Sequence, residues 1–289
     1  MEANGQPANL LPPEALAGVR IGVSVSDSPD LARLGLSEVH LRLALGEMAR
    51  VVLIGGGRLV YGGRLDPAGY TAFLQGELEK YARRDQPLVV CLAWQEHREL
   101  ALAALKEAEL ELGLHGRIIY LNPDGMPIAA ADGRGEAPVS ISDGATRAQA
   151  LTAMRHYVIS ETDARVLVGG RRSGFQGAMP GVIEEALIAI QAGQPVFLAA
   201  GFGGATWDAA RALGLVTSEW PDLSGPARYD ALAALEQAAH AAGWRLDVNG
   251  LRDEENLRLV ASHRPSEVAS LVALGLGRLR SAGGLEGVA

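Results

Sequence analysis

The chain has 289 residues, 48% of them hydrophobic, and a formal net charge of −8 from 26 Lys and Arg against 34 Asp and Glu. That length buries a full core and suits one large α/β domain or two small ones, with one domain and additions favoured, and the acidic balance excludes an overall positive field for DNA, RNA or anionic lipid. One cysteine, Cys91, excludes an intrachain disulfide, and no apolar stretch approaches the ~18 residues of a membrane span.

Residues 1–17, polar and then bearing Pro12-Pro13, read as a flexible leader or an edge-packing arm that lacks the basic flank and apolar core of a signal peptide. With the lone cysteine in an apolar run, this predicts a cytoplasmic protein. From Val19 onward, short β-rich runs alternate with helix-period stretches. The strands are expected at Val19–Ser26, Val51–Ile54, Leu88–Ala93, Arg117–Leu121, Arg165–Val168 and Pro195–Ala199. The helices are expected at Glu38–Met48, Gly69–Arg83, Arg98–Glu111, Thr146–Glu161, Gly181–Gln191 and Thr206–Leu213. Such alternation, with strands apolar on both faces, predicts a doubly wound, mostly parallel Rossmann-like sheet. The stretch 122–143, with three prolines and little periodicity, is a connection about twice the usual length, a lid or an oligomer arm. Beyond residue 214 the pattern turns helical, over Ala227–Ala242, Glu254–Ala261 and Pro265–Leu279, the last with proline at its first position. The expected organisation is a leader (1–17), a ligand domain (18–214) and a helical cap on the same domain (215–289).

Two glycine-rich turns stand out, Gly55-Gly56-Gly57-Arg58-Leu59-Val60-Tyr61-Gly62-Gly63-Arg64 and Gly169-Gly170-Arg171-Arg172-Ser173-Gly174, the latter running on to Pro180-Gly181. Glycines let backbone N–H groups approach an anion, a helix N-terminus adds positive potential, and arginine offers a planar fork to phosphate oxygens. Both turns fall where strands end, which is where doubly wound sheets bind ligands. Neither is a Walker loop, since Phe175 follows Gly174 where lysine belongs, and neither contains GxGxxG.

The pattern resembles the SLOG superfamily, which unites the "Lonely Guy" phosphoribohydrolases, the DprA/Smf proteins and related sensor domains. Val23-Ser-Val-Ser-Asp-Ser28 looks like the first strand end of those enzymes, Leu59-Val-Tyr-Gly-Gly63 matches their LVYGGG, and Gly169-Gly170 to Pro180-Gly181-Val-Ile-Glu-Glu185 loosely matches PGGxGTxxE. The resemblance covers residues 19–205. It departs where Val182 replaces the motif's threonine and where Arg171–Met179 lengthens the loop, features closer to the sensors of bacterial conflict systems. It implies a ligand site of Ser26, Asp27, Ser28, Gly62, Gly63, Arg64, Gly169, Gly170, Arg171, Arg172, Gly174 and Gly181, with Glu185 and Arg155 as the candidate catalytic pair. In those enzymes a carboxylate stabilises an oxocarbenium-like ribosyl centre while arginine holds the phosphate or assists the leaving base.

Each candidate has a structural alternative. On the predicted helix, Glu184 shares the stripe of Gln191 and is expected to face water, whereas Glu185 sits over Gly181, Ile188, Ala189 and Ala192 without a polar neighbour. It needs a ligand, or an arginine from a facing helix. Arg171 and Arg172 are a ligand fork or a solvated turn; Ser28-Pro29-Asp30 is a contact or a turn; Trp94 stacks on a base or packs. Six histidines lack metal-ligand spacing, and neither a metal nor a cofactor is expected.

Three functions are compatible with these features. The first is a sensor of a nucleotide-derived ligand, ADP-ribose-like or a nucleoside monophosphate, in a stress or defence system; through Glu185 and Arg155 it becomes a phosphoribohydrolase or an NAD-derived N-glycosidase. The second is a DprA-like module for single-stranded DNA, which the acidic balance disfavours. The third is a scaffold, because Gly181–Ile190 is apolar on more than one face and suits burial in a homo-oligomer. No effector signature is visible, so the output lies in assembly, in a separate effector chain or in catalysis.

Overall fold

The computed structural model describes residues 13–81, 83–216 and 226–285. Most of the expected leader, and residues 217–225 and 286–289 of the expected cap, lie outside the described residues. Seven strands form one sheet in the order β5-β4-β3-β2-β1-β6-β7. They are β1 (Arg20–Ser26), β2 (Arg58–Gly62), β3 (Leu88–Leu92), β4 (Gly116–Leu121), β5 (Pro127–Ile128), β6 (Ala164–Gly169) and β7 (Val196–Ala199). All pairings are parallel except β4 with β5, a short hairpin inside the long 122–143 connection. The expected doubly wound α/β fold is therefore observed.

One face of the sheet carries α1 (Glu38–Ile54), α2 (Tyr70–Leu78), α4 (Leu102–Leu112), α9 (Asp253–Ala261) and α10 (Pro265–Ser281), packed on one large apolar core. The other carries α5 (Gly144–Ser160), α6 (Gly181–Gln191), α7 (Gly204–Ala212) and α8 (Pro226–Ala241). The short α3 (Trp94–Arg98) follows β3 and touches α5. Local chemistry sets several helix starts: Asp143 accepts from the N–H groups of Ala145 and Thr146 ahead of α5, and Pro265 opens α10.

Two expectations change. Val51–Ile54, read as a strand, is the last turn of α1, and the strand is Arg58–Gly62. A four-residue apolar run is ambiguous by periodicity, and here Val52 and Leu53 complete the buried stripe of α1 before Gly55 ends the helix. Gly55–Gly57 therefore sits at the amino end of β2, away from the ligand edge. The second concerns α6, whose several apolar faces suggested a subunit contact. Its outer face is covered by α8 and its flank by α5, so the burial comes from within the chain.

Glu255 ties the C-terminal helices together, accepting from Arg278 of α10 and from Arg252 at the start of its own helix. Hydrogen bonds from Arg278, then from Arg252, hold its carboxyl down to about 2. A carboxyl lowered on folding adds stability that is full above its unfolded value near 4.5 and disappears as pH falls toward 2. Between pH 5 and 2.5 the urea midpoint of the protein should thus fall further than that of Glu255→Gln. Equal losses would show that Glu255 does not anchor these helices.

Candidate functional site

β1 lies between β2 on one side and β6 on the other, so chain direction around it diverges and leaves a crevice above the carboxyl ends of these strands. A cavity of about 500 Å³ occupies that crevice, within the size range of small-molecule sites. Its floor comes from Ser24–Asp27 and Tyr61–Arg64, one wall from α5 and α6, the other from the start of α1 and α2, and its roof from the 171–180 loop.

Ten of the expected residues line it: Ser26, Asp27, Gly62, Gly63, Arg64, Arg155, Arg171, Gly174, Gly181 and Glu185. Four do not. Gly169 and Gly170 form a left-handed turn (φ 63° and 105°) packed so tightly beneath the cavity that a Cβ on Gly169 would lie 2.7 Å from the Ser26 carbonyl oxygen. Ser28 is buried and accepts the N–H of Asp30, which is the turn alternative. Arg172 points away from the cavity into a buried cluster, with Nη1 2.5 Å from Asp30 and Nε 2.7 Å from Asp208. It anchors the roof loop to β1 and α7. Trp94 packs edge-on against His97 and does not line the cavity.

Glu184 is not where helix geometry placed it, and Glu185 lines the cavity with partners of its own. Glu184, placed in water by helix geometry alone, is 4% exposed. α5 covers that face, so Glu184 pairs with Arg155 and accepts from the Thr152 hydroxyl at 2.5 Å. Glu185 does have polar partners, but they lie on strands rather than on its own helix. Its Oε2 accepts from Ser24 Oγ and, at 2.7 Å, from Arg165 Nη1. Its Oε1 is 3.8 Å from Arg155 Nε and accepts from no protein donor at hydrogen-bonding distance among the described residues. Arg165 was absent from the sequence-derived site, yet a signal was there: it is the charged residue opening an otherwise apolar strand, Val166–Val168.

The mouth is crossed by two ion pairs. Arg171 reaches Asp27 at 2.5 Å, and Tyr70 donates to the same carboxylate. Arg64 pairs with Glu96 at 3.1 Å and donates to Gln176 of the roof loop at 2.5 Å. Burial pushes Asp27 up, but hydrogen bonds from Arg171 and Tyr70 outweigh it and leave its carboxyl below the usual range. Burial wins at Glu96, whose carboxyl is raised despite Arg64. The Arg171–Asp27 pair is exposed and contributes little, about 0–1 kcal/mol, whereas Arg64 is held by a carboxylate that is only 14% exposed. Among the described residues, no cluster of His, Cys, Asp and Glu is placed to hold a metal ion, and no helix is long and apolar enough to cross a membrane.

Searches of curated proteins and of solved structures give no match. A family model described as SLOG cluster2 matches residues 15–259. The match runs from just before β1 into α9, further than the 19–205 covered by the motifs. Membership of SLOG points to a domain that binds or processes a nucleotide-related ligand. With most of the chain matched, and the motif residues gathered around one crevice, this protein belongs to the SLOG cluster2 family.

Proposed function

We propose that this cavity binds a nucleotide-derived ligand, ADP-ribose-like or a nucleoside monophosphate, and that the chain is the sensing or processing part of a cytoplasmic bacterial stress or defence system. The observation carrying this reading is the crevice itself: Gly62-Gly63 at one strand end, the N-terminus of α6 opposite, and the lining arginines Arg64 and Arg171 between them. Residues 18–214 act as the ligand domain and 215–289 as its cap. The output passes through homo-oligomer assembly, through a separate effector chain or through catalysis.

One observation favours processing. Glu185 presents an oxygen without a hydrogen-bond donor beside Arg155 at the cavity wall, the arrangement that stabilises a developing ribosyl cation. In that case the reaction is hydrolysis of an N-glycosidic bond in a nucleoside monophosphate or an NAD-derived substrate, with Arg155 holding phosphate or assisting the leaving base.

Native mass spectrometry of the protein with AMP, NAD, ADP-ribose, cyclic ADP-ribose and a single-stranded oligonucleotide tests the readings together. The expected result is a one-to-one adduct with at least one of the small molecules. An adduct without new products identifies a sensor, and a released base or nicotinamide identifies a glycosidase. Adducts with the oligonucleotide alone would transfer the protein to the DNA-binding class, and no adducts at all would overturn the nucleotide reading.

A further inference from the structure

We propose that Arg165 is the positioning residue of this site: from an interior strand of the sheet it holds one oxygen of Glu185 against Ser24 and leaves the other facing the cavity. The inference rests on the reading of the cavity as a ligand site.

Arg165 is fully buried, and its side chain lies on the α6 face of β6. The residue in register with it on β1 is Gly22. A Cβ there would stand 2.5 Å from Arg165 Nη2 and 2.7 Å from its Cζ, so the guanidinium occupies the space a side chain on Gly22 would need. Nη1 donates to Ser24 Oγ at 3.0 Å and to Glu185 Oε2 at 2.7 Å, and the Ser24 hydroxyl donates to the same carboxylate oxygen. Both donors thus converge on Oε2.

The remaining environment makes this arrangement costly. Among the described residues Arg165 Nε has no hydrogen-bond partner, and Nη2 has only a 3.5 Å contact to Thr162. Burial pushes the guanidinium below its usual range. An apolar side chain would fill a buried parallel strand at lower cost, since desolvating an ion offsets much of what its partner returns. Among the described residues the carboxylate paired with Arg165 is Glu185, which opens onto the cavity. From the other elements, Arg155 of α5 approaches the opposite oxygen, and Tyr61 of β2 feels the Glu185 charge. A stability cost retained behind a ligand-facing carboxylate fits a fixed acceptor for a sugar hydroxyl or a developing cation.

Two variants test this. Arg165→Met removes the charge at similar bulk. Gly22→Ala keeps both charges, and the atoms nearest its new methyl group all belong to the flexible Arg165 side chain. Crystal structures of both variants should show the Glu185 carboxylate turned away from Ser24. Calorimetry should show affinity for AMP or ADP-ribose reduced at least about tenfold, as for loss of a charged hydrogen bond. In a Glu185→Gln background, Arg165→Met should add less than about a twofold further loss, because residues acting through one another are not additive. A carboxylate that stays on Ser24 in both variants, unchanged affinity, or fully additive losses would each overturn the proposal. If the wild type binds none of AMP, NAD, ADP-ribose and cyclic ADP-ribose, the nucleotide reading fails, and the carboxylate position in the two crystal structures still decides the role of Arg165.

Discussion

Arg172→Met should destabilise the protein by about 3 kcal/mol, the lower end for breaking a buried ion pair, because it removes the cation that two buried carboxylates share while Asp30 keeps Arg33 at 2.8 Å. Asp30 and Asp208 are each about 1% exposed. Asp30 also accepts the N–H of Gly204, so the cluster joins the turn after β1, the roof loop and the start of α7. The measurement is thermal and urea denaturation. At roughly 2–4 °C per kcal/mol for a domain of this size, the melting temperature should drop by about 10 °C. Neutralising both carboxylates in the same background, with Asp30→Asn and Asp208→Asn, should recover part of the loss. A shift below about 2 °C would show that the cluster is not what holds the loop. The adjacent Arg171 lines the cavity while Arg172 is buried, so Arg172→Met should also weaken nucleotide binding by freeing the roof.

Glu185→Gln should separate function from stability in an unusual way. If the site cleaves, release of free base should fall by about 10²–10³ or more, the size expected for a group that stabilises transition-state charge. The same change leaves Arg165 buried with no counter-charge, and breaking such a pair costs about 3 kcal/mol or more. Adding Arg165→Met should therefore restore melting temperature but not activity. The double variant should be more stable than Glu185→Gln alone and equally inactive. Retained base release in Glu185→Gln would remove Glu185 from the mechanism, and a double variant no more stable than the single one would show that the ion pair is not strained by burial.

Much of the fold was legible because it rests on local pattern. β1, β3, β4, β6 and β7 overlap the runs predicted from them, and α5 and α6 begin close to where their caps and apolar periods place them. The error at Val51–Ile54 shows the limit of that signal: four consecutive apolar residues fit a buried strand or a helix end equally well. Packing of Val52 and Leu53 against the sheet decided for the helix. Similarly, the apolar faces of α6 were read correctly as buried, but what buries them is α8, which follows it in the same chain.

The candidate site divides along the same line. Its backbone frame, Gly62-Gly63 and Gly181, was visible because turns and helix starts depend on residues within a few positions. The charges were not. Which of Glu184 and Glu185 is buried, and with what partner, depends on α5 crossing α6 and on two strands beneath it. Ser24 is 161 positions from Glu185 in the chain, and Arg172 meets Asp208 36 positions away. By itself the sequence determined the order of elements, the parallel sheet and the glycine turns that open the crevice, all consequences of short-range periodicity and backbone freedom. Only the tertiary structure decided that Arg172 anchors the loop, that Arg165 stands behind Glu185 and that Gly22 makes room for it, because a buried charge takes its partner from whatever the fold brings within about 3 Å.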